Sequence, residues 1–338
     1  MTRMSSVLAF ENLSIDFETP TGPVHAVRNV NFEVPDNKVV GIVGESGCGK
    51  TTVISAAMSL LSNNAVVASG RVSFEQQDIL KLSEAALRKI RGEKISMVFQ
   101  DPMTSQNPVI SIGKQMIDIQ YRQTEFSLKQ KRSNAVDMLN RVGIPDPEMR
   151  LNQFPHELSG GMRQRAMIAM ALSCQPRLLI ADEPTTALDV TTQANILDLI
   201  RELQKDMDMT IIFITHDLGV VAEIADEVVV MYLGKAVESG DVDTIFHDPK
   251  HPYTRELLQS IPKLGSSDRG RLQPIPGMVP HPFARPKGCD FHPRCESFLQ
   301  DTCDQIEPSA IRLSENSHVR CLLYGGAEKE QSTRIHSE

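Results

Sequence analysis

No apolar run in these 338 residues approaches the roughly 18 needed to cross a bilayer. The longest, such as VVVMYL at 228–233, suits a buried strand. The opening residues, MTRMSSVLAF, lack the apolar core of a secretory signal, so the chain is expected in the cytoplasm, with any membrane contact made through a partner. Nor is the chain basic. A formal net charge of -8 counts against a broad grip on nucleic-acid phosphates, although it leaves room for a local groove. There is no internal repeat and no long low-complexity stretch. The final residues, within GGAEKEQSTRIHSE, read as a disordered tail, placed at 331–338.

What is present fits a soluble globular protein, 41% hydrophobic and 23% charged, long enough for one large domain with an appendage or for two domains. Residues 7–35 alternate apolar and polar positions around ETPTGP, which predicts an antiparallel hairpin or small sheet. KVVGIV at 38–43 is a continuous apolar run suited to a buried parallel strand, and TTVISAAMSLL after it reads as a helix. Short buried strands recur at 95–99, at LLIAD (178–182) and at TIIFIT (210–215). Between the last two, Ile196, Leu199, Ile200 and Leu203 fall at helical spacing. Residues 104–174 are helical and polar, with prolines at 145, 147 and 155. The pattern predicts an α/β fold: a mostly parallel sheet covered on both sides, with a helical insertion over about 104–174. Proline becomes frequent after about residue 247, so a first domain is placed at 1–250 and a second region at 251–330.

Residues 44–52, GESGCGKTT, fit G-x-x-x-x-G-K-[ST] between a predicted strand and a predicted helix. Gly44, Gly47 and Gly49 let the backbone turn tightly and aim N–H groups at one point, where side chains would obstruct a phosphate. The helix beginning near Lys50 adds its positive dipole end. Lys50 is expected to reach the β- and γ-phosphates and Thr51 to ligate Mg²⁺; Glu45, Ser46, Cys48 and Thr52 complete the nucleotide-binding set. LLIADEP at 178–184 ends an apolar strand in Asp182, suited to Mg²⁺, and Glu183, suited to polarising the attacking water.

LSGGMRQR at 158–165 is a second helix start built for an anion, where Ser159, Gly160 and Gly161 offer a hydroxyl and bare N–H groups ahead of an amphipathic helix, MRQRAMIAMAL. This string resembles the signature motif of the ABC ATPases. The resemblance runs over roughly residues 7–265, with Leu158, Ser159, Gly160, Gly161 and Met162 as the signature. It implies a P-loop NTPase fold of the ABC type with an antiparallel β subdomain. It also implies a head-to-tail dimer in which the signature of one subunit closes over the ATP held by the other. Further positions match in order: Gln100 as the glutamine that senses Mg²⁺ and the membrane partner, Ala187–Asp189 (ALD) as the loop coupling the two sites, and His216 as the γ-phosphate contact. Phe17 is the candidate for stacking on adenine, with His25 as its rival.

MVFQDPMTSQNP, HPYTRELLQSIP at 251–262 and the late cysteines resemble the oligopeptide/dipeptide importer subfamily, its D-type subunits included. That resemblance implies an ATPase at the cytoplasmic face of a bacterial inner membrane, driving import of di- or oligopeptides or similar solutes. Its partners would be a second, paralogous ATPase, two permease subunits and an extracytoplasmic solute-binding protein. Three residues depart from the usual pattern: Cys48 and Thr51, which preserve the loop, and Gln106, which replaces a leucine where the membrane subunit is met. A soluble ABC ATPase acting on nucleic acid is the alternative, and a metal sensor that merely binds ATP a third.

Six cysteines are unevenly spread. Cys48 and Cys174 stand alone, while Cys289, Cys295, Cys303 and Cys321 crowd the last fifth of the chain, a pattern that reads as a metal site before disulfides in a reducing compartment. Their spacing matches neither common zinc modules nor ferredoxins. By resemblance to the subfamily's C-terminal extension, they are expected to hold a [4Fe–4S] cluster with a structural role. His292 and His318 lie near enough in sequence to substitute as ligands. In HPYT, histidine and proline are expected to start a helix and bind nothing.

Overall fold

The protein is described by a computed structural model covering residues 6–186, 188–260 and 275–325. Ala187 of the expected coupling loop, residues 261–262 and the tail at 331–338 lie outside the described residues. In the amino-terminal part the strands are β1 (Ser6–Phe17), β2 (Val24–Pro35), β3 (Val39–Val43), β4 (Ala65–Phe74), β5 (Gln77–Asp78) and β6 (Ile95–Val98). The later strands are β7 (Leu178–Asp182), β8 (Thr210–Ile214), β9 (Glu227–Tyr232), β10 (Lys235–Asp241), β11 (Ile311–Arg312) and β12 (His318–Val319).

Two sheets form. The first is antiparallel, in the order β2-β1-β4-β5, and begins with the hairpin expected at 7–35. The second runs β11-β12-β10-β9-β3-β8-β7-β6. Its centre, from β9 through β6, is parallel, and the edge from β10 outward is antiparallel. Every residue of β3, β7 and β8 is buried, as continuous apolar runs require when helices cover both faces of a parallel sheet. All five parallel strands point their carboxyl ends the same way, so the loops after β3, β6, β7 and β8 meet at one edge.

The helical segment is carried by Ile112–Ile119, Leu128–Arg141 and Gly160–Leu172, which pack on one another. Met116, Leu139, Ile168 and Leu172 share one apolar core with Leu179 and Phe213 of the sheet. The helix Gly160–Leu172 differs from the amphipathic one expected. It is buried at every position from Ala166 to Met170, because it lies between neighbouring helices and β6.

His251 caps the helix Pro252–Gln259 by accepting the Tyr253 N–H at 3.1 Å, with Pro252 at its first position. Tyr253, Tyr232 and Phe291 then pack, tilted and edge-on, into a buried aromatic cluster that fastens the carboxyl-terminal region to β9 and β10. Two short strands from this region, β11 and β12, extend the second sheet beyond β10.

Candidate functional site

Residues 44–52 connect β3 to the helix Lys50–Ala57. Gly44 (φ 150) sits so close to β9 that a Cβ there would lie 2.2 Å from the Met231 carbonyl oxygen. Gly47 faces open space and is required only by its left-handed backbone, φ 78. Gly49 caps the helix with no side chain, and no acidic residue occupies the first turn. The free N–H groups of that turn therefore face an anion unopposed. The Lys50 ammonium is buried and reaches back to the carbonyls of Gly44 (2.7 Å) and Glu45 (3.2 Å). Ser46 and Thr51 are exposed, Thr52 is half-buried, and the buried Cys48 thiol is pushed above its ordinary pKa by burial.

Glu45 turns away from this cradle. Its N–H donates to the Tyr253 hydroxyl at 2.9 Å, and its carboxylate is gripped by both terminal nitrogens of Arg294. Sequence grouped it with the nucleotide-binding residues; spatially it is the loop's anchor to the carboxyl-terminal region.

Asp182 ends β7, two strands from the phosphate loop. Burial raises its carboxyl above the ordinary range, while the Thr51 hydroxyl donates to it and opposes that shift. These two side chains, both oxygen donors in contact, fit a hard divalent cation such as Mg²⁺. Glu183 follows with a left-handed backbone, φ 47, fixed by its N–H to the Ile214 carbonyl at 2.9 Å. For a non-glycine residue this conformation costs about 1–3 kcal/mol, and such strain concentrates at functional sites. Here it brings the carboxylate to three partners. Gln100 donates its amide at 2.9 Å, Thr186 its hydroxyl at 3.0 Å, and His216 Nδ1 stands 3.3 Å away. Sequence reasoning did not single out Thr186. Gln164 was missed too: buried in the signature helix, it donates to the carbonyl of Pro184, directly after Glu183.

The signature residues are built as a helix start. Ser159 accepts the Met162 N–H at 3.3 Å, Leu158 is buried beneath it, and Ser159 and Gly160 are exposed. Gly161 stands against the next helix, where a Cβ would approach Thr192 to 3.2 Å. Asp189 caps that helix, Val190–Asp206, accepting from the Thr192 N–H (2.9 Å) and hydroxyl (2.7 Å), bonds that pull its carboxyl below the ordinary range. Among the described residues, none of 158–162 bonds to the phosphate loop or to Glu183. Phe17 and His25 lie at the β1–β2 turn; Phe17 is half-buried, and His25 is tied to Asp16 at 2.7 Å.

In the carboxyl-terminal region the four cysteines are free thiols near enough to influence one another's ionisation. Burial pushes Cys289 and Cys295 up to about 11 and raises Cys321. The sulfurs of Cys289, Cys295 and Cys321 each accept the backbone N–H two residues on. An all-sulfur donor set suits a thiophilic metal or cluster. Even so, among the described residues no three His, Cys, Asp or Glu side chains are gathered at metal-holding geometry. The cluster expected there therefore has no assembled ligand set behind it. His292 is occupied otherwise, its Nδ1 2.9 Å from the Cys289 carbonyl, and His318 lies exposed on β12.

The family model described as ABC transporter matches residues 27–186, and that of the oligopeptide/dipeptide transporter C-terminal region matches 237–303. The chain is 48% identical to the oligopeptide transport ATP-binding protein OppD of Bacillus subtilis, over 97% of this chain and 92% of that protein. It is 45% identical to the dipeptide transport ATP-binding protein DppD of Escherichia coli, over 94% of this chain and 96% of the other. Among solved structures it resembles a dimeric ATP-binding cassette in a post-hydrolysis state bound to ADP and phosphate. There the TM-score is 0.63 at 26% identity, covering 70% of this chain and 98% of that one.

Proposed function

The chain belongs to the ABC transporter family, and from that premise we propose that it is the ATP-hydrolysing subunit of an importer for dipeptides or oligopeptides. The observation that carries the chemistry is Glu183, whose carboxylate is oriented by Gln100, Thr186 and His216 beside the Asp182–Thr51 pair.

ATP lies along the phosphate loop, its β- and γ-phosphates on the N–H groups of the loop and first turn and on Lys50. Thr51, Asp182 and Gln100 would hold Mg²⁺, which would supply positive charge to offset that of the phosphates. Glu183 takes a proton from water as its oxygen attacks the γ-phosphorus, and the bond to the β–γ bridging oxygen breaks. ADP and phosphate leave, and the proton passes on with the products. His216, anchored through Nδ1, presents its other nitrogen to the γ-phosphate. Phe17 stacks on adenine.

Ser159, Gly160 and Gly161 take no part in their own chain's cluster, which supports their serving the ATP of a second, paralogous ATPase, with Asp189 at the seam. Phe99, Met103 and Val109 are exposed apolar residues on the segment around the Gln100 loop, a surface suited to a permease subunit. Among the described residues no helix is long and apolar enough to cross a membrane. That agrees with peripheral attachment at the cytoplasmic face of the inner membrane, through two permeases supplied by an extracytoplasmic solute-binding protein. The C-terminal match to peptide transporters favours this reading over an ATPase acting on nucleic acid.

We further propose a [4Fe–4S] cluster on Cys289, Cys295, Cys303 and Cys321, which would have to draw together thiols that are not gathered at metal-holding geometry among the described residues. The support is their all-sulfur donor set and the N–H bonds to three of the sulfurs. Iron and acid-labile sulfide in anaerobically purified protein test this; their absence there would remove it. The main reading is tested by purifying the tagged chain from gently solubilised membranes. Two polytopic membrane proteins and a second ATPase should accompany it. Recovery with nucleic acid or ribosomal proteins would overturn the transport role.

A further inference from the structure

Arg294 lies between Cys289 and Cys295 in sequence, yet its guanidinium is spent on the phosphate loop. Nη1 and Nη2 donate to the two carboxylate oxygens of Glu45 at 2.7 and 3.0 Å, a fork-on-fork pair. The Arg294 side chain is 3% exposed. Its Nε donates to the Pro276 carbonyl at 2.9 Å, and the rings of Tyr232 and Phe291 flank it at 5.8 Å. The same Glu45 gives its N–H to Tyr253, and its carbonyl accepts from Lys50. One loop residue is thus held at three points, two of them by residues beyond 250.

Resting on the ATPase reading, we infer that Arg294 is a positioning residue: together with Tyr253 it clamps the phosphate loop through Glu45, so that the carboxyl-terminal region sets ATP affinity in its own chain. Two physical effects act together. A loop that binds a triphosphate through fixed N–H dipoles gains from having its backbone held before the ligand arrives. Glu45 also places a negative charge beside the site for a polyanion, and the guanidinium cancels it.

ATP KM and kcat of the full chain, with affinity for a ribose-labelled ATP analogue, test the clamp. Arg294→Met should raise KM about tenfold with kcat changed less than about twofold, as loss of a charge-assisted pair outside the reacting atoms predicts. Arg294→Lys, which keeps charge without the fork, should fall between. Adding Glu45→Gln to Arg294→Met should recover part of the affinity, because it removes the carboxylate left uncancelled. Tyr253→Phe removes only a hydroxyl, keeps the aromatic cluster, and should raise KM about threefold; it carries the test if Arg294→Met does not fold. An unchanged KM in Arg294→Met, or a double variant no better than the single one, overturns the clamp. A wild-type chain that binds no ATP would instead overturn the ATPase reading itself.

Discussion

Gln106 donates its side-chain amide to the carbonyl of Arg163 at 2.9 Å, tying the segment after Gln100 to the signature helix. Ser105 adds a hydroxyl to the Met167 sulfur at 3.0 Å. The Gln106 side chain is buried, but its oxygen has no partner among the described residues. One bond made is worth about 1 kcal/mol, and one buried acceptor left unmade costs about 1–3 kcal/mol. Gln106→Leu should therefore raise the melting temperature by about 2–4 °C. It should also loosen transport from hydrolysis in reconstituted vesicles, because only the Ser105–Met167 bond then joins the two segments. A lower melting temperature would show that the amide is better satisfied than its geometry indicates.

Glu183→Gln keeps the size and the Thr186 contact but cannot accept water's proton. Single-turnover hydrolysis should fall by about a hundredfold or more, within the range general bases contribute. ATP binding should persist, and a dimer should accumulate with ATP on size exclusion. Turnover close to wild type would remove Glu183 from the role of base.

The His251 imidazole is pushed down to about 3 by burial, with Arg255 opposing its protonation and a bond to the Arg320 backbone favouring it. Glu238 faces it through the backbone, accepting the His251 N–H at 3.0 Å. Unfolded, this histidine titrates near 6.5. The unfolded chain therefore binds the extra proton first, and stability is lost as pH falls from about 6.5 towards about 3. By pH 5 the loss is about 2 kcal/mol. His251→Asn keeps a capping side chain without the titration. Denaturant midpoints at pH 7.5 and 5.5 should differ less in this variant than in wild type.

Gly44→Ala places a methyl against the Met231 backbone, where no flexible side chain can give way. The loop must deform, so ATP binding should be lost and the melting temperature should drop. Gly47→Ala meets open space and strains only φ. It should cost about 1–2 kcal/mol in stability. A Gly44→Ala protein with normal ATP affinity would mean β9 can move away from the loop.

The phosphate loop, the Asp182–Glu183 pair and the places of the buried strands along the chain are legible in sequence, because each depends on residues close together in the chain. Glycine spacing reports backbone turns, and unbroken apolar runs such as VVGIV report strands buried on both faces. What escapes is set by partners far along the chain. Nothing near Glu45 announces Arg294, 249 residues away, or Tyr253, 208 residues away. The left-handed backbone of Glu183 is invisible because glutamate does not advertise it. Strand β4 is largely exposed, and β11 and β12 are two residues each, too short to leave a period. The gaps between the four cysteines fit no single pattern, so neither their proximity nor their incomplete gathering could be read from spacing.

The sheet order carries a consequence for how the chain is made. β3 bears the phosphate loop yet sits between β8 and β9, whose residues begin at Thr210 and Glu227. A ribosome delivers VVGIV long before either flanking strand, and Arg294 later still. During that interval the strand lacks both of its pairing partners, although Val40 and Ile42 can already pack against early residues such as Leu8, Val27, Val53 and Ile54. Closing the sheet means joining segments distant in sequence, which is slow and leaves edges open to other chains.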